Sequence, residues 1–89
     1  MAKILISPEE VDAAGSKFEQ ASGQSQEIVN SLQSLMGNMQ PQWDGMTSER
    51  FYQEFESWRG QMNKFVTMLN EIGGELHSIA ERFRIADNQ

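Results

Sequence analysis

The sequence predicts an all-α fold: an antiparallel helical hairpin that dimerises into a four-helix bundle. Three observations carry this expectation. Two long stretches repeat apolar residues at alternating spacings of three and four, the mark of heptad helices. A proline-containing and glycine-containing break, "PQWDG", separates them. The chain has 89 residues, so a lone two-helix hairpin has little core of its own.

The first helix is expected over about 8–39. Ser7 suits the N-cap, Pro8 the first helical position, and Glu10 completes a capping box with Ser7. Glu9, Glu10 and Asp12 put negative charge at the positive end of the helix dipole. Val11, Ala14, Phe18, Ala21, Ser25, Ile28, Leu32, Leu35 and Met39 then form one seam, in which only Ser25 is polar. Pro41 ends the helix, because it pushes the residue before it away from helical angles.

The turn is expected over about 40–46, around Trp43-Asp44-Gly45. Gly45 permits backbone angles that other residues resist, and Asp44, Thr47 or Ser48 could cap the second helix. As structure alone, Trp43 would plug the end of a bundle.

The second helix is expected over about 47–86, with a short tail at 87–89. Phe51, Phe55, Trp58, Met62, Phe65, Leu69, Ile72, Leu76, Ile79, Phe83 and Ala86 form an unbroken apolar seam. It stays in phase across Gly73-Gly74, which favours a continuous helix despite a cost of about 1 kcal/mol per glycine. At 1.5 Å per residue the two rods measure roughly 45–50 Å and roughly 60 Å. The short connection makes them antiparallel, seam to seam. Phe18, Ile28, Leu32, Leu35, Phe55, Trp58, Phe65 and Leu69 are the candidate hairpin or dimer packing residues.

Apolar or small residues beside the seams imply a second contact face. They are Val29, Met36, Ala13, Gly15, Ser22 and Gly23 on the first helix, and Tyr52, Val66 and Ala80 on the second. This face is expected to pair two hairpins. The second helix outruns the first at about residue 79, so residues 80–89 should overhang. An antiparallel pair of hairpins would bring each overhang near its partner's turn.

Seven basic residues face thirteen acidic ones, a net charge of −6. That argues against nucleic acid and against an anionic membrane surface. With the expected lack of an exposed apolar stripe and of a run long enough to span a bilayer, no stable membrane insertion is expected. The N-terminal "MAKILISPEEV" lacks the long apolar region and cleavage site of a standard signal peptide. There is no cysteine, and His77, the only histidine, is expected on the solvated surface. No metal site, cofactor or catalytic group is expected, because a thin hairpin offers no pocket to shift a catalytic pKa.

Two heptad helices in a chain under 100 residues, with Trp43-Asp44-Gly45 at their bend, resemble the WXG family of small type VII secretion substrates. The opening "ISPEEV" is similar to members from Firmicutes. The resemblance covers the whole chain. It implies a hairpin that dimerises and leaves the cell folded, without a cleaved signal peptide. The pairing implied is a homodimer, with a heterodimer of paralogues as the alternative. It also implies recognition by a membrane-bound type VII ATPase. The implied signal is bipartite: Trp43 and Gly45 at the turn of one subunit, and a C-terminal Tyr-x-x-x-Asp/Glu motif. Here that motif maps to Phe83 and Asp87, with Phe in place of Tyr. Tyr52-x-x-x-Glu56 also fits the pattern but lies just after the turn instead of ending the chain. An intracellular helical adaptor or chaperone-like module is the alternative function, with the same helices and no export.

Overall fold

The computed structural model describes residues 5–43 and 45–87. Two helices account for nearly all of them: α1, Pro8–Met39, and α2, Met46–Asp87, joined through a 3-10 turn at Gln40–Gln42. The hairpin is a rod of 67 × 20 × 17 Å.

Local chemistry sets the ends. Ser7 Oγ accepts from the Glu10 N–H at 3.1 Å, and Glu10 Oε2 accepts from the Ser7 N–H at 3.4 Å. Both arms of the capping box therefore form. At the other end the Gln40 N–H bonds to Met36 O, and Gln40 keeps helical angles (φ −55°, ψ −46°). The expectation that Pro41 pushes it away from them is therefore corrected: the chain tightens into a 3-10 turn that contains Pro41. Gly45 takes φ +117°, a backbone angle open to glycine, and its carbonyl accepts from the Glu49 N–H at 3.2 Å to start α2. Asp44, a candidate cap, lies outside the described residues. The helix runs through Gly73-Gly74 without a break.

The face joining the two helices is not the one expected. Val11, Gly15, Ser22 and Val29 of α1 are buried, as are Ser48, Val66, Gly73 and Ala80 of α2. Three contacts keep one antiparallel register. The Ser22 hydroxyl donates to Val66 O at 2.9 Å. The Tyr52 hydroxyl donates to Met36 O at 2.6 Å. Gly15 and Gly73 cross so closely that a Cβ on either would lie 2.9 or 2.8 Å from the other's carbonyl oxygen. Gly15, Ser22, Val29 and Met36 recur every seven residues, and so do Tyr52, Arg59, Val66, Gly73 and Ala80. The hairpin thus closes on a second heptad stripe that is rich in small residues.

Only part of the large apolar seam, by contrast, faces outward: Val11 is buried and Ala14, Phe51, Met62, Ile72, Leu76, Ile79 and Phe83 are half-buried. Ile28 is 60% exposed, Leu35 52%, Phe65 50% and Trp58 46%, with Leu32 and Met39 also exposed. Phe18, Phe55 and Leu69 are half-buried. The seam-to-seam expectation is therefore corrected. Val29, Met36, Tyr52, Val66, Ala80, Gly15 and Ser22, expected to pair two hairpins, close a single one. Ala13 and Gly23 are exposed and lie outside that contact. The reason is geometric. Heptad seam residues point to the centre of a bundle, between a helix's two neighbours, so one neighbour cannot cover them. Small residues on the flank let two backbones approach, and it is that close contact which joins the helices of one hairpin.

Candidate functional site

Three features are available for recognition: the turn, the exposed apolar face and the open end. At the turn, Trp43 is half-buried and extended in backbone, and its N–H donates to Gln40 O at 3.3 Å. Its ring lies 5.3 Å from Phe51 and 6.1 Å from Tyr52. Phe51 continues the contact to Phe55 at 6.2 Å and to Trp58 at 6.0 Å. Tyr52 is anchored in turn by its bond to α1. Trp43 is thus seated on aromatic rings near the start of α2, at separations typical of favourable ring pairs. The turn carries a large side chain because the ring joins the bend to α2.

Phe83 lies at the opposite end and is half-buried. Asp87 is the last residue of α2, and its side chain lies outside the described residues. Forty positions, nearly all helical, separate Trp43 from Phe83, about 60 Å at 1.5 Å per residue. One chain cannot bring the two together.

Between these ends runs the apolar face. Ile28, Trp58, Met62 and Phe65 line an open groove between the helices, floored by Val29 and Val66. The isolated hairpin therefore does carry an exposed apolar stripe, correcting the expectation that it would not. Among the described residues, no helix is long and apolar enough to cross a membrane.

The open end is charged. His77, expected on the solvated surface, keeps about 34% of its side chain exposed but also bonds across to α1. Its Nδ1 lies 2.8 Å from Asp12 Oδ1 and its Nε2 2.9 Å from Glu19 Oε1. Arg84 bonds the other oxygen of Asp12. These bonds shift two titrations. The Asp12 bond, then the Glu19 bond, raise the His77 pKa above its ordinary value. The His77 bond, then the Arg84 bond, lower that of Asp12. Arg84 also changes the expected overhang. Ala80 is fully buried and α2 passes the start of α1 beyond it, yet Arg84 reaches back to α1. Sequence reasoning missed this cluster because it used the wrong facing stripe. The seven-residue spacing of Gly15 with Ser22, and of Val66 with Gly73, was the available signal; pairing those stripes brings residue 77 near residue 12. Among the described residues, no group of His, Cys, Asp and Glu could hold a metal ion.

Comparison with known proteins gives a consistent result. The family model WXG100, "Proteins of 100 residues with WXG", matches residues 3–88. A Staphylococcus aureus protein named type VII secretion system extracellular protein A is 33% identical over 89 residues, covering 100% of this chain and 92% of the relative. The crystal structure of EsxB, a secreted protein of Bacillus anthracis, superposes with a TM-score of 0.84 at 33% identity, covering 98% of this chain and 99% of that one. EsxA of Geobacillus thermodenitrificans gives a TM-score of 0.84 at 29% identity, covering 98% and 95%.

Proposed function

The chain belongs to the WXG100 family, and from that premise we propose that it is a secreted substrate of a type VII secretion system, exported as a folded dimer. The observation that carries this reading is its full-length likeness to a protein named as a type VII extracellular protein. The mechanism is recognition, with no catalytic step. Two hairpins pair through the exposed face of Ile28, Leu32, Leu35, Trp58 and Phe65, whose burial removes apolar area from water. The pair is antiparallel. Each Trp43 turn then lies beside the partner's C-terminal end, and the roughly 60 Å between Trp43 and Phe83 within one chain is bridged. Trp43 and Gly45 form one part of the signal read by the membrane-bound ATPase, and Phe83 with Asp87 the other.

The test is mass spectrometry of the culture medium from the native host, with and without the type VII ATPase. The chain is expected outside only when the ATPase is present. Retention in both strains, while a known substrate is exported, would overturn the export reading and favour the intracellular adaptor instead. Trp43→Ala and Asp87→Ala should each stop export and leave a folded dimer. Normal export of both removes the signal roles.

A further inference from the structure

The glycines at the helix crossing leave a notch, and charged groups fill it. A Cβ on Gly15 would lie 3.1 Å from His77 Nε2, and one on Gly73 would lie 2.7 Å from Glu19 Cγ. The imidazole and the stem of Glu19 therefore occupy room that only glycine provides. Both ring nitrogens meet carboxylates, at 2.8 and 2.9 Å. A carboxylate oxygen only accepts, so both nitrogens must donate, and only imidazolium has two N–H groups. Either neutral tautomer would turn a lone pair toward Asp12 or Glu19. From α1, Asp12 and Glu19 face the ring, and Glu9 adds its field at Arg84. On α2, Arg84 joins through Asp12 and lies 3.6 Å from Glu81. Among the described residues, the Arg84–Asp12 pair is the side-chain bond between helices that reaches past Ala80.

We propose that Asp12, Glu19, His77 and Arg84 form a proton-dependent clasp seated in the Gly15–Gly73 notch, which holds the C-terminal end of α2 on α1 and so positions Phe83 and Asp87 for recognition. The last clause rests on the export reading above. The clasp itself does not. The two titrations set its sign. His77 binds its proton more tightly in the folded chain, so its contribution is complete below 6.5, the ordinary value, and is lost as pH rises through the raised one. Asp12 is the reverse: its contribution is complete above 3.8 and is lost as pH falls through the lowered value. The clasp is closed between those limits and opens on the alkaline side when His77 loses its proton.

Amide hydrogen exchange of the full chain tests this, read at residues 81–87 against residues 62–72 and corrected for intrinsic exchange. From about pH 6 to about pH 9, protection of 81–87 should fall roughly two- to fivefold, the range for a partly exposed charged pair, while 62–72 holds. His77→Gln should start at the lower level and show no step. An identical profile in both proteins overturns the clasp. Export separates the second clause. If Trp43→Ala is retained in the cell and His77→Gln is exported normally, the positioning role is overturned while the export reading stands. If Trp43→Ala is also exported normally, the signal role of Trp43 fails; the export reading itself fails only if the unaltered chain stays in the cell with the ATPase present.

Discussion

The inner and outer faces of the hairpin are built from opposite kinds of side chain. The inner face, closed on itself, uses Gly15, Ser22, Gly73 and Ala80; the outer one presents Ile28, Leu35, Trp58 and Phe65. The inner face gains its contact from distance, because small side chains let two backbones meet. The outer face offers apolar area instead, and that area is satisfied only by another surface. The contrast teaches that the most hydrophobic stripe of a helix need not be the one its nearest neighbour covers.

The largest effect should come from breaking the outer face. Phe65→Glu puts a carboxylate into the proposed dimer contact, where an unpaired charge is costly to bury. Sedimentation velocity should show dimer association weakened by about 100-fold or more, roughly 3 kcal/mol. The same substitution to Glu at exposed Lys64 should leave association nearly unchanged. Next comes the inner face. Gly73→Ala forces a methyl to within 2.8 Å of the Gly15 carbonyl oxygen, which belongs to a helix backbone and cannot yield alone. Urea unfolding at fixed protein concentration should show a loss of about 1–3 kcal/mol.

Smaller changes refine the contrast. Ser22→Ala removes the hydroxyl that bonds Val66 O and should cost about 1 kcal/mol in the same unfolding measurement. Gly74→Ala should have the opposite sign. Nothing lies within 4 Å of the Cβ it would carry, so it should stabilise α2 by up to about 1 kcal/mol. Adjacent glycines with effects of opposite sign would tie the inner face to close approach and not to glycine as such. Equal signs would break that account.

Local features of this fold were legible before any coordinates. The capping-box residues at Ser7 and Glu10 make their bonds, and Pro41 lies where α1 gives way to the 3-10 turn. These signals act between residues close in sequence, so a string of letters contains them. Trp43 was legible as the odd residue of the turn, but its seat on Phe51 and Tyr52 was not, since that depends on how the bend returns onto α2. The bonds of His77 were not legible for a similar reason. Its partners Asp12 and Glu19 are on the other helix, and only the register of the hairpin brings them together.

By itself, then, the sequence determined the periods, the helix-start signals and the bend, because hydrophobic spacing and capping are local to one helix. It also held two heptad stripes without ranking them. The tertiary structure decided which stripe closes the hairpin. That choice turns on how near two backbones can come, and the approach at Gly15 and Gly73 exists only once both helices are in place. With the small stripe inside, Ile28, Trp58 and Phe65 are left facing outward and His77 is drawn between two carboxylates.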